Sequence, residues 1–131
     1  MNAESSMTEW PSDKMDVETD EDMALWIRCV SDLLHSIGYD VSDLERFRRG
    51  DGHEQLIVRI GIEDGIDVDV IMERNDDDGD PVVTLQAMVD GDESGYVQFD
   101  PYSPYGNAIY INGWITGMLR YLSMKRDMLS A

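Results

Sequence analysis

Lysine is nearly missing from this chain. Lys14 and Lys125 are its only two, joined by eight arginines against 28 acidic side chains, for a formal net charge of −18. Binding of DNA, RNA and anionic membranes depends on cations that neutralise phosphates, so this charge balance excludes those partners. The acidic excess runs along the whole length, which leaves a basic protein partner, a salt-rich cytoplasm or plain solubility as its reason. Nineteen Asp against nine Glu, with arginine preferred to lysine, points to a GC-rich or salt-adapted genome.

Cysteine is reduced to Cys29, so no intramolecular disulfide forms. It stands between Trp26 and Leu33 in an apolar helical pattern, where it reads as a small buried hydrophobe and not as a reactive thiol. No apolar run approaches the roughly 18 residues of a membrane span, and the N-terminus has no charged-then-apolar leader. The expectation is a cytoplasmic protein. One cysteine and two distant histidines, His35 and His53, are too few for a zinc site. Neither histidine stands near a serine or cysteine in a nucleophile context. Asp residues are so many that no single carboxylate pair is informative. The chain is therefore expected to be no enzyme and to hold no cofactor and no metal.

Calcium is the metal the acidic turns invite. Asp90-Gly91-Asp92-Glu93-Ser94-Gly95 matches the start of an EF-hand loop, with oxygen ligands at alternate positions and glycine sixth. The twelfth position, where a bidentate Glu is required, is Pro101, and the flanks read as strands. A solvated hairpin turn is the better reading. Asn75 to Asp80 likewise has neither the glycine nor the closing Glu in the required place.

What is present is patterning. Residues 1–18 mix Ser, Asp, Glu and Pro without a period and read as a disordered acidic tail in which the lone aromatic Trp10 reads as a loosely packed residue, with a docking anchor as the alternative. Residues 19–131 read as a single α+β domain. Thr19-Asp20-Glu21-Asp22 suits a helix start, and Met23, Trp26, Ile27, Val30, Leu33, Leu34 and Ile37 lay one apolar stripe that Gly38 ends. A four-stranded antiparallel meander follows. Leu56, Val58, Ile60 and Ile62 alternate, as do Ile66, Val68, Val70 and Met72, then Val83, Leu85, Ala87 and Val89, and Tyr96 to Phe99 is the short fourth strand. A three-residue loop Glu63-Asp64-Gly65 pairs Ile62 with Ile66, Ile60 with Val68 and Val58 with Val70, and sets Arg59 against Asp69 on the outer face. A two-residue Asp64-Gly65 loop would set Ile62 against Asp67 and Ile60 against Asp69 and so place carboxylates on the apolar face. Arg46-Phe47-Arg48-Arg49 reads as ion-pair partners for Asp40, Asp43 and Glu45, with a site for an acidic ligand as the sharper alternative.

After Pro101, Pro104 and Gly106, a C-terminal amphipathic helix spans about Asn107 to Met128. Ile111, Trp114, Ile115, Met118, Leu119 and Leu122 form its main stripe, so both helices are expected on one sheet face. Gly113 and Gly117 lie four apart and each costs about 1 kcal/mol relative to Ala, so a close backbone approach is expected to compensate. Either the helix sits tightly on its own sheet, or Gly113, Gly117, Tyr121, Met124 and Met128, with Tyr102 and Tyr105, form a partner or homodimer surface.

The order helix, meander, helix in an acidic chain, with LLHSIGYDV leading into VRIGIEDGIDVDV, resembles the type III secretion chaperone-like proteins and the YbjN family of bacterial sensory transduction regulators. The resemblance covers roughly Asp20 to Met128. It implies a non-enzymatic binding or regulatory module, because those chaperones hold partner protein segments as homodimers. The rival expectation is an acidic inhibitor that mimics nucleic acid or masks a basic protein.

Overall fold

A computed structural model describes residues 16–50 and 52–130. The tail expected over residues 1–18 therefore lies, with Trp10, mostly outside the described residues; of its last three, Val17 already packs against the core.

Helix α1 (Asp20–Ser36) begins where its sequence says it should. The Thr19 hydroxyl accepts from the Asp22 backbone N–H at 3.0 Å, and the Asp22 carboxylate accepts from the Thr19 N–H at 3.1 Å, a reciprocal capping box. Backbone N–H groups of Thr19 and Glu18 hold the Asp22 carboxyl below its usual 3.8. A depressed carboxyl stabilises the fold above its unfolded value and loses that contribution as pH falls through the lower folded one, so the N-terminal turn should loosen only in acid below about 3.8. Thr19→Ala should cost about 1 kcal/mol in urea unfolding at neutral pH. At its other end the helix stops one residue earlier than the apolar stripe implied. Ile37 is the C-cap and 59% exposed, and Gly38 follows at φ 110.

Six strands then form one antiparallel sheet: β1 (Asp40–Val41), β2 (Glu45–Arg48), β3 (Glu54–Glu63), β4 (Ile66–Arg74), β5 (Pro81–Val89) and β6 (Asp92–Phe99). The order is β1-β3-β4-β5-β6, with β2 also pairing β3. The expected four-stranded meander is thus β3 to β6, and two short strands extend its first edge. Arg59 faces Asp69, Ile60 faces Val68 and Val58 faces Val70, as the patterning required. The turn itself differs. Glu63, not Ile62, opposes Ile66, and a bulge between Gly61 and Glu63 absorbs the extra residue, so a two-residue Asp64-Gly65 turn restores the same register beyond it.

The turn between β5 and β6 is Asp90-Gly91 alone, with φ 51 and 88, a pair of left-handed residues that fits the strand twist. The Asp92 to Gly95 run, expected as part of that turn, is already strand β6, and a second bulge lies opposite Ala87 and Met88.

Helix α2 (Pro104–Ser130) starts three residues before the expected Asn107. Pro104 occupies the first helical position, where no backbone N–H is needed, and Ser103 caps the turn through Gly106 N–H at 3.1 Å. Ile111, Ile115 and Leu122 are buried, and Trp114 and Met118 pack beside them. Both helices lie on the same face of the sheet, α1 over β1 and β3, α2 over β4 and β5. Two arginines fix the layers. Arg74 at the end of β4 reaches Asp20 at 3.0 Å and the Glu18 carbonyl at 2.7 Å, and Arg126 of α2 reaches Glu63 at 2.9 Å and the Asp64 carbonyl at 2.9 Å. Among the described residues no helix is long and apolar enough to cross a membrane.

Candidate functional site: the outward face of α2

Helix α2 runs antiparallel to β6. Tyr110 stacks edge-on against Phe99 with ring centroids 5.2 Å apart, while the position of a Cβ on Gly95 would lie 3.4 Å from Met118 Cε. Eight helical residues and four strand residues each span about 12–13 Å, so helix and strand keep step. On its other side α2 meets α1, where the Tyr39 hydroxyl donates to Asn112 Oδ1 at 2.6 Å.

These contacts fix which flank of α2 is turned outward. Gly113 and Gly117 are exposed, and a Cβ built on either meets nothing within 4 Å. The first reading of the glycines, a tight seat on their own sheet, is therefore overturned: among the described residues nothing approaches them closely enough to require them. Tyr121, Met124 and Met128 continue the same strip and are 54%, 60% and 75% exposed. Restoring side chains to bare helical positions should be favourable, so Gly113→Ala and Gly117→Ala should each raise stability by about 1 kcal/mol in urea unfolding.

Tyr102 and Tyr105 do not join this strip. Tyr102 lies in the loop before the helix, its N–H donated to Asn107 Oδ1 at 2.8 Å. Tyr105 is turned toward α1 and lines, with Leu33, Ile37, Ala108, Ile109 and Asn112, a groove of about 310 Å³. The expected single surface is thus two: the glycine strip on the β6 side and an apolar groove on the α1 side. Ile37 and Ile109 of that groove were not foreseen. Ile37 had been counted in the buried stripe of α1, and Ile109 carries no signal apart from its distance from that of α2.

The remaining candidates resolve differently. Arg46 pairs with Glu54 at 3.5 Å, Arg49 bridges Glu73 and Asp76 at 3.1 and 3.0 Å, and Arg48 donates to the Gly52 carbonyl, so this arginine cluster does not pair with Asp40, Asp43 or Glu45 as expected. Cross-strand register, not sequence proximity, chose its partners. Cys29 is partly buried, and burial, helped by the Asp32 charge, pushes its thiol up. The Asn75 to Asp80 turn is closed by Asn75 and Asp78 side chains accepting from the Asp77 and Asp80 N–H groups at 2.9 Å. Among the described residues no group of three or more His, Cys, Asp or Glu is placed to hold a metal ion.

Comparison of the chain with protein-family models, with curated proteins and with solved structures finds no match.

Proposed function

We propose that this chain is a non-catalytic protein-binding module, chaperone-like in holding another polypeptide, and that it self-associates as a homodimer through the outward face of α2. One observation carries the reading. Two helical glycines that the fold does not need sit bare in a strip of exposed Tyr and Met, and flexible methionines beside a low backbone suit a surface that another helix covers. A two-fold copy of α2 would place each strip against the other. The element order and acidity shared with the type III secretion chaperone-like and YbjN proteins are in keeping with this mode of action.

The test is sedimentation. The wild type should run as a dimer of the 14.9 kDa chain, and Gly117→Leu should shift it toward monomer while its circular dichroism stays native. A wild type that sediments as a 14.9 kDa monomer at high concentration removes self-association. Salt separates this reading from charge masking of a basic protein, because an apolar contact persists as ionic strength rises whereas charge mimicry weakens steeply.

A further inference from the structure

The sheet has a second face, and among the described residues neither helix covers it. Its residues follow from the register. Across the strands run Glu45, Ile57, Ile71 and Thr84; beside them Arg59, Asp69, Gln86 and Tyr96; then Gly61, Asp67, Met88 and Glu93. Phe47 and Val82 lie diagonally beyond Ile57 and Ile71, with Gln55 and Glu73 in the row between them, so these four apolar residues form a band from β2 to β5 on the open layer. Phe47 is about half exposed, and Ile57, Ile71 and Val82 are only half-buried.

The charges around that patch do not balance. Arg59 donates to both carboxylate oxygens of Asp69 at 2.7 and 3.1 Å, covering an acid that is itself buried. That bond uses the one cation of the three central strands on this face. By register Glu45 and Asp67 stand diagonal to Arg59, and Arg49, from the turn after β2, is engaged by Glu73 and Asp76 at the Val82 end, so acid exceeds cation along the Arg59 side of the patch. An apolar patch edged by uncompensated acid is complementary to a surface with apolar residues in the middle and cations at the margins.

We propose that the open face of this sheet binds a basic amphipathic helix of a partner protein, laid over Ile57 and Ile71 with Lys or Arg side chains reaching Asp67 and Glu45. A helix is the element that completes a layer on a sheet, and its stripe of apolar residues matches the cross-strand pair Ile57 and Ile71 with the diagonal band that extends it. A second copy does not fit this face, because it would bring Asp67 and Glu45 of two acidic chains together. The inference rests on the protein-binding reading, yet not on the homodimer, since contact through α2 leaves the opposite side of the sheet open.

The experiment is titration of the full chain with a synthetic 18-residue leucine–lysine amphipathic helix, followed by backbone amide NMR and by calorimetry. Shifts should centre on Ile57, Arg59, Asp67 and Ile71. Asp67→Asn with Glu45→Gln should lower affinity at least tenfold, whereas Asp76→Asn with Asp77→Asn, the same change of net charge on the β4–β5 turn, should leave it within twofold. Equal losses from the two double variants would mean attraction by net charge alone and would overturn the site. Shifts confined to α2 would also overturn it while leaving the protein-binding reading intact. A sheet face already protected in a wild-type dimer would assign it to a second copy instead, and no shift on either face at saturation would remove both readings.

Discussion

Trp26→Ala is expected to remove most of the stability of this protein. The indole is fully buried in the middle of α1, tilted against Phe99 at a centroid distance of 6.5 Å, and lies in the cluster that joins both helices to the sheet. Truncating such a residue costs about 3–5 kcal/mol, since the transfer term is lost and a cavity remains. A domain of this kind holds about 5–15 kcal/mol in total, so urea unfolding of the variant should show a midpoint lowered by a large fraction or no cooperative transition at all. Trp26→Phe should behave differently. Trp26 Nε1 is the one buried side-chain nitrogen or oxygen among the described residues that has no hydrogen-bond partner, so the substitution removes an unpaired donor as well as some volume. An unpaired buried donor costs about 1–3 kcal/mol, which offsets much of the lost packing. A Phe variant as damaged as the Ala variant would show that the shape of the indole, and not its bulk, holds the two helices.

The second large effect is expected at Gly65. Its φ is +81, and a Cβ there would lie 2.6 Å from Asp90 Oδ1 and 3.3 Å from Arg126 Cδ. Left-handed strain alone costs a β-branched residue about 1–3 kcal/mol. The crowding adds less, because the Asp90 carboxylate can turn about its own side-chain bond while its backbone N–H still donates to the Gly65 carbonyl at 2.8 Å and ties the two hairpin turns together. Arg126, anchored on Glu63 and the Asp64 carbonyl, would be displaced with it, so Gly65→Val should loosen the end of α2 as well as the turn. The expected signature in thermal unfolding is a lowered midpoint together with faster amide exchange around Arg126. A midpoint unchanged within a degree would show that the turn has another conformation available. Gly65 and Gly113 thus predict opposite signs for the same addition of a side chain, because one holds a left-handed backbone at φ +81 and the other a helical backbone with nothing within 4 Å of a built Cβ.

Elements with a strong burial period were legible in the sequence. Helix α1 and strands β3, β4 and β5 each present an alternating or three-four apolar pattern to one core, and register followed because a slip by one residue would have buried Asp67 and Asp69 among the helices. Strands β1 and β2 gave no such signal. They are two and four residues long, and all four residues of β2 are exposed, so nothing in their composition distinguishes them from loop. The start of β6 was hidden because Asp92, Glu93, Ser94 and Gly95 are turn residues by type and strand residues only by pairing with β5. Pro104 and Gly106 concealed the first turn of α2 for a similar reason: proline is a breaker within a helix and a good first residue of one.

By itself, then, the sequence determined a one-sided sheet with two amphipathic helices, the pairing of Arg59 with Asp69, and a strongly acidic charge balance, because hydrophobic period and charge are properties of the chain before it folds. It could show that α2 had two apolar flanks but not which one would face outward. That was decided by the packing of Ile111, Ile115 and Leu122 on β4 and β5 and by the Tyr39–Asn112 bond on the α1 side, which together leave a Cβ built on Gly113 or Gly117 with nothing within 4 Å among the described residues. The burial of Asp69 beneath Arg59, the partners of Arg46 and Arg49, and the half-exposed Ile57 and Ile71 on the open layer were likewise tertiary decisions. Each depends on which strand lies alongside which, and a local pattern of residues does not encode its neighbours across a sheet.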